Sequence, residues 1–170
     1  RELRDTDLQK DHARFRNNLK RVAHVLAYEI SKSLTYSPVS VTTPLETMQM
    51  NKLSDEVVLG TVLRAGLPFF EGFLECFDKA DCAFISAQRV YTDEAKTQVD
   101  IQCSYKAAPS IEGKVLILVD PMLATGYSAA HAVDVLKKRG VPGENIKFLA
   151  LVAAPEGIQG MQDLHPDIEI

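Results

Sequence analysis

Val115-Leu116-Ile117-Leu118-Val119-Asp120-Pro121-Met122-Leu123-Ala124-Thr125-Gly126-Tyr127-Ser128-Ala129 is the stretch that decides how this chain folds. An apolar, β-branched run drives into Asp120, the short Ala124-to-Ser128 turn follows, and a helical pattern begins at Ser128. Such a run, flanked by a turn, reads as a buried strand. The order strand, turn, helix sets a carboxylate at the carboxyl end of the strand and backbone N–H groups at a helix start. Helix-start amides have no partner within the helix, and the helix dipole favours negative charge there, so they suit a phosphate. A carboxylate beside them suits sugar hydroxyls, or a metal bound to those hydroxyls. The residues together read as a site for a phosphorylated sugar.

Working outward, strands and helices alternate. Thr6-Asp7-Leu8-Gln9 has the form of a capping box, with Thr6 as N-cap and Gln9 reaching back. Leu8, Phe15, Leu19, Val22, Leu26 and Ile30 then mark one face of a long N-terminal helix, with Arg14, Arg16, Lys20 and Arg21 on its solvated side. Tyr36 to Pro44 is broken by Ser, Pro and Thr and is extended. Val57 to Leu63 is a second buried strand, Pro68 to Phe77 a helix whose Phe69, Phe70, Phe73, Leu74 and Phe77 belong to core or a subunit contact, and Ala83 to Ala87 a third strand. Val90 to Asp100 turns polar and reads as an exposed, mobile excursion. The alternation of Val99, Ile101 and Cys103 makes it a protruding β-hairpin arm. Ser128 to Arg139 is helical with Gly140 just past its end, Ile146 to Ala153 a strand, Gly157 to Leu164 a short helix, and Ile168 to Ile170 the start of another strand. The expected fold is α/β: a mostly parallel twisted sheet with helices on both faces and ligands at the carboxyl ends of its strands.

Leu63-Arg64-Ala65-Gly66-Leu67-Pro68 is the second informative stretch. Taken alone it is an ordinary strand-to-helix turn, with Gly for the bend and Pro in the first helical turn. Its Arg64, however, leaves a strand on the edge where Asp120 is expected, and a guanidinium there can pair with a pyrophosphate. Composition bounds the rest. The 170 residues suit one domain, and 19 basic against 23 acidic residues argue against a general nucleic-acid binder. Cys76, Cys82 and Cys103 are odd in number and show no metal-type pairing, so a reduced compartment is expected, with Cys76 and Cys82 in buried roles as small hydrophobes. No stretch approaches the roughly 18 apolar residues of a membrane span, and the chain is expected to be soluble and cytoplasmic. His12, His24, His131 and His165 lack metal spacing and read as surface or packing residues.

The Asp120-to-Ser128 segment resembles the 5-phosphoribosyl-1-pyrophosphate (PRPP) motif of the type I phosphoribosyltransferases, in the form found in uracil phosphoribosyltransferases. Most of that superfamily has two adjacent acids, whereas here Pro121 follows Asp120 and Ala124 stands where many purine enzymes carry an aspartate. Leu63 to Pro68 resembles the family's pyrophosphate loop. Ile85-Ser86-Ala87-Gln88-Arg89 resembles a strand ending in an Arg that also touches pyrophosphate. Glu2 to Asp5, Phe15 to Leu19, Tyr28 to Lys32, Thr43 to Leu45, Gly66 to Asp78 and Pro155-Glu156-Gly157 are similar too, so the resemblance covers nearly the whole chain.

The resemblance implies transfer of ribosyl 5-phosphate from PRPP to N1 of uracil, giving UMP and pyrophosphate. By that carry-over Arg64, Arg89 and Asp120 are catalytic. PRPP is held by Arg64, Ala65, Gly66, Arg89 and the run Asp120, Pro121, Met122, Leu123, Ala124, Thr125, Gly126, Tyr127 and Ser128. Mg²⁺ arrives with PRPP and no residue ligates it directly. The family implies a homodimer or larger homo-oligomer and, in some members, activation by GTP. Two departures stand out. Tyr127 occupies a point where the family usually has glycine, and it projects to solvent or covers the ligand. The Gly-Leu-Gly-Asp-Ala-Gly-Asp string that forms the family's uracil pocket does not occur, so residues 1–170 read as a single transferase domain whose uracil-binding residues are expected beyond Ile170. A catalytically inactive or regulatory PRPP- or nucleotide-binding relative is the rival reading, and a transferase for purines is a second one that Ala124 argues against.

Overall fold

Each apolar run becomes a strand, and the two longest lie side by side at the centre of the molecule. The computed structural model describes the backbone of residues 1–91 and 99–170, with side chains for 1–86 and 107–170. Seven strands are present among these residues: β1 (Tyr36–Thr42), β2 (Thr47–Leu53), β3 (Val57–Leu63), β4 (Asp81–Tyr91), β5 (Val99–Ala107), β6 (Val115–Leu123) and β7 (Ile146–Ala153). The four helices are α1 (His12–Ser31), α2 (Leu67–Cys76), α3 (Tyr127–Lys137) and α4 (Pro155–Leu164). The main sheet runs β5–β4–β3–β6–β7, with β3, β4, β6 and β7 parallel and β5 antiparallel at one edge. Glu169 bridges Lys147 in parallel on the far side of β7, so Ile168 to Ile170 does lie beside the sheet as a further strand would.

Side chains of β3 and β6 alternate between two cores, as the two-residue period of a strand requires. Leu59, Ile117 and Val119 pack with Ala23 and Ala27 of α1 and with Phe69, Phe70 and Phe73 of α2. Val58, Leu116 and Leu118 pack on the other face with Ala132, Val133 and Leu136 of α3 and Met161 of α4. Helices therefore cover both faces, and the expected fold class is found. His165 is buried, its Nε2 facing the Ala130 carbonyl at 3.2 Å, which ties the end of α4 to α3. Among the described residues no helix is long and apolar enough to cross a membrane.

Four local expectations are corrected. The N-terminal helix does not start at Thr6. The Asp5 carboxylate accepts from the backbone N–H groups of Asp7 and Leu8 (3.1 and 3.2 Å), a short 3₁₀ turn follows over Leu8–Lys10, and α1 begins after Asp11, whose side chain accepts from Arg14 N at 3.0 Å. Aspartate is the stronger cap, and Leu8 is left off the buried stripe at 37% exposure. Thr47 to Leu53 forms β2, which had no counterpart in the sequence reading; it pairs with β1 into an exposed ribbon closed by Thr43 N donating to Glu46 O at 2.9 Å. The strand expected over Ala83 to Ala87 runs from Asp81 to Tyr91, so it does not end at Arg89, and it pairs antiparallel with β5 as a hairpin. That hairpin takes in both ends of the polar excursion, while residues 92–98 lie outside the described residues. Cys76, expected to be buried, is exposed at the end of α2, Cys82 is half-buried, and the Cys103 side chain lies outside the described residues.

Helices α1 and α2 come into backbone contact at Gly72. A Cβ placed on Gly72 would stand 2.4 Å from the Lys20 carbonyl oxygen and 2.6 Å from Ala23 Cβ. Glycine at this point, opposite alanine, is what lets α2 lie against α1. Helix propensity alone favours Gly72→Ala by about 1 kcal/mol, but backbone at 2.4 Å cannot yield as a flexible side chain would. Overpacking of this kind costs about 1–3 kcal/mol. Gly72→Ala is expected to lower stability by about 1 kcal/mol net, or roughly 2–4 °C in Tm for a chain of this size, in a thermal melt. An unchanged or raised Tm would show that α1 is free to shift.

Candidate active site

β3 pairs with β6 only as far as Thr61 opposite Val119; beyond that rung the two strands part. β6 continues beside β7, through Asp120 opposite Ala150, to Leu123 opposite Ala153. Asp120 thus sits not at the end of its strand but at the point where one neighbour leaves it, and the gap left by β3 is open at its side. The segment then divides by accessibility. Leu123 is 1% exposed and anchors the turn in the core, whereas Met122, Ala124 and Thr125 are exposed and Ser128 is half-buried. A small hollow is lined by Asp120, Met122, Leu123, Ala124, Thr125, Gly126, Ser128 and Ala129, so the structure brings the expected acid and the expected turn into one concavity.

Gly126 is the N-cap of α3 with φ +83°, a backbone region glycine enters without steric cost. Its carbonyl accepts from Ala130 N at 2.8 Å, which leaves the first amides of α3 without helical partners at the hollow. Tyr127 is the first helical residue and 67% exposed, so glycine is not required there and the side chain projects outward.

The Arg64 loop starts three residues after the last β3–β6 rung, on the same edge of the sheet. Arg64 and Ala65 are exposed, Gly66 is buried, and the Leu63–Arg64 peptide bond is cis. Gly66 N donates to Val62 O at 3.2 Å, folding the loop back over its own strand before α2 begins. Arg89 lies on β4 three residues past the Leu63–Ser86 rung, on the part of that strand that extends beyond β3. Its side chain lies outside the described residues.

Two supports of the site carried no functional weight in the sequence reading. Gly157, in the first turn of α4, backs the Ala124-to-Ser128 turn: a Cβ on it would stand 2.3 Å from the Ala124 carbonyl oxygen, and one on Gly126 would stand 3.0 Å from the Gly157 carbonyl. Ala154 N donates to Leu123 O at 2.8 Å and pins the base of the turn. Thr61 is fully buried, its hydroxyl donating to the Val119 carbonyl at 3.0 Å. The Pro155-Glu156-Gly157 string was the available signal for the first support. For the second, a lone threonine inside an apolar strand gives none.

Asp120 carries the site's electrostatic tension. Burial pushes its carboxyl up from 3.8 to about 6, and the one hydrogen bond that opposes the shift comes from the Met122 backbone N–H at 3.1 Å. A carboxyl whose pKa is raised on folding costs stability above that pKa and none below the unfolded value. The cost therefore sets in as pH rises from about 4 to about 6 and is full at neutral pH. At about 1.4 kcal/mol per pH unit it approaches 3 kcal/mol. Asp120→Asn keeps the acceptor for Met122 and removes the charge. It is expected to be more stable than the parent at pH 8 by about 1–3 kcal/mol, with the difference fading at pH 4, in denaturant titrations at the two pH values. Equal stabilities at pH 8 would mean that the carboxylate is well solvated.

Residues 2–170 match the family model described as uracil phosphoribosyltransferase. A uracil phosphoribosyltransferase of Porphyromonas gingivalis is 45% identical over 166 residues, covering 98% of this chain and 76% of that protein. The solved structure of the AQ2163 protein from Aquifex aeolicus superposes with a TM-score of 0.80 at 30% identity, over 92% of this chain and 72% of that one. A hypoxanthine-guanine phosphoribosyltransferase of Bacillus anthracis superposes with a TM-score of 0.60 at 19% identity, over 83% of this chain and 71% of that one, a likeness of fold alone. With the acid, the turn and the Arg64 loop assembled on one sheet edge and the family matched along nearly the whole sequence, the chain belongs to the uracil phosphoribosyltransferase family.

Proposed function

We propose that this protein transfers the ribosyl 5-phosphate of PRPP to N1 of uracil, releasing pyrophosphate and forming UMP, as one catalytic domain. The observation that carries the reading is the single hollow uniting Asp120 with the Ala124-to-Ser128 turn, in a chain of this family. The amides at the start of α3, with the Thr125 and Ser128 hydroxyls, grip the 5′-phosphate. The backbone of Pro121 to Leu123 carries the ribose edge of the site, and Asp120 accepts from the ribose hydroxyls, exchanging its poor solvation for hydrogen bonds to ligand. As pyrophosphate leaves, positive charge grows on the ribose ring carbon and negative charge on the leaving oxygens. Arg64, the amides of Ala65 and Gly66, and Arg89 stabilise that negative charge. Ala124 has no proton to take or give, and uracil N1 is acidic enough that positioning does the remaining work.

Mg²⁺ belongs to the substrate in this reading, entering as the PRPP complex. The segment fits that role in its chemistry: Pro121, not a second acid, follows Asp120, so the run offers an ion one carboxylate. Bound to PRPP, the ion supplies further neutralisation of the pyrophosphate. The wider reading includes a cytoplasmic location, in keeping with the unpaired Cys76 and Cys82. It also includes assembly into a homo-oligomer, supported by Val25 and Tyr28 exposed on α1 and Met48 and Met50 on the β1–β2 ribbon. GTP activation rests on the resemblance alone. The base-binding residues are not assigned within 1–170.

Two measurements test the reaction and its residues. With Mg²⁺ and PRPP, the intact protein is expected to convert radiolabelled uracil to UMP and to leave hypoxanthine and guanine untouched; turnover of a purine, or none of uracil, overturns the assignment. Arg64→Ala is expected to lower kcat by about a hundredfold or more, the usual loss for one transition-state charge stabiliser. Asp120→Asn is expected to raise the Kd for PRPP instead. Ordinary kinetics in both, with unchanged circular dichroism, would show Arg64 to be a turn residue and Asp120 a bystander.

A further inference from the structure

Arg64 and Asp120 stand on different strands, and one buried oxygen touches the backbone of both segments. Thr61 Oγ1 donates across the last β3–β6 rung to the Val119 carbonyl at 3.0 Å, and that carbonyl belongs to the peptide bond leading into Asp120. On its other side the same oxygen lies against Gly66 of the Arg64 loop: a Cβ on Gly66 would stand 2.0 Å from Thr61 Oγ1 and 2.8 Å from the Val62 carbonyl. The contact is closed to every residue but glycine, so the loop rests directly on the hydroxyl. Thr61 is 0% exposed, hence neither solvent nor ligand reaches it. A buried hydroxyl persists in an apolar strand only where its hydrogen bond is made.

We infer that Thr61 is a positioning residue for this reaction: its hydroxyl sets the separation between the pyrophosphate grip at Arg64–Gly66 and the ribose grip at Asp120. The inference rests on the PRPP reading of those two segments. PRPP spans both grips, so its affinity gains from their being held at one fixed distance, an advantage that neither fragment alone enjoys. Replacing the hydroxyl with a methyl group puts carbon where a hydrogen bond of 3.0 Å stood. Carbon needs about 3.5 Å or more, so the rung and the Gly66 seat must open by several tenths of an ångström. Each grip remains whole, and only their relation changes.

Calorimetric titration with three probes, all with Mg²⁺, separates this from a general structural role: pyrophosphate, ribose 5-phosphate and PRPP. In Thr61→Val the two fragments are expected to bind within about threefold of the parent, while PRPP weakens by about tenfold or more. Thr61→Ser, which keeps the hydroxyl, is expected to restore PRPP binding. Thr61→Ala removes the oxygen without adding a clash and gives the same comparison if the valine variant does not fold. Equal weakening of all three probes, or undiminished PRPP binding in Thr61→Val or Thr61→Ala, overturns the inference. A parent protein that binds none of the three overturns the PRPP reading beneath it, a result distinct from either.

Discussion

Parallel pairing of Val57–Thr61 with Val115–Val119, buried on both faces, is the constraint from which the other features follow. Two strands so paired must each leave the sheet from the same edge, because parallel neighbours point the same way. The Arg64 loop and the Asp120 segment are thereby delivered side by side, although more than fifty residues separate them in the chain. Unequal strand length does the rest. β3 stops, β6 runs on beside β7, and the hollow opens where the departing strand would have continued. Ligands of open α/β sheets lie at such carboxyl edges for this reason.

The same geometry explains why Asp120 is expensive to the fold. It keeps one hydrogen bond in a place where water is scarce, and its carboxyl is held near pH 6 in consequence. No described lysine or arginine is paired with it to relieve the charge. In the proposed reading, hydroxyls of the ribose would donate to this carboxylate and remove that deficit. A carboxyl raised by burial in this way is a common mark of sites that sacrifice stability for affinity. The Ala124-to-Ser128 turn is held in a different way: Gly126 and Gly157 bring two backbones into contact, with no side chain between them to repack.

Where sequence and structure part, competition among local signals or a missing periodicity is responsible. Thr6 and Gln9 satisfy the capping pattern, but the Asp5 carboxylate takes the amides of Asp7 and Leu8, and Asp11 caps the long helix further on at the amide of Arg14. β2 is exposed along nearly its whole length, so no alternation of apolar and polar residues announces it. The β4 strand reads as ending where apolar residues stop, yet hydrogen bonding to β5 carries it to Tyr91. Ladder hydrogen bonds between backbones are blind to side-chain polarity.

The sequence by itself determined the α/β class, the bounds of β3 and β7 to the residue, the start of β6, the helices α2 and α3 to within a residue or two, and the make-up of the Ala124-to-Ser128 turn. Buried parallel strands and helix starts write themselves as local runs of residue types, and such runs need no knowledge of the rest of the chain. Only the tertiary structure decided that β3 parts from β6 one rung short of Asp120, that Gly157 of a distant helix backs the turn, and that the Thr61 hydroxyl meets the backbone at both Val119 and Gly66. Each of these is a contact between segments far apart in sequence. A single glycine or threonine looks the same on paper whether it fills space or sets a distance, and packing alone distinguishes the two.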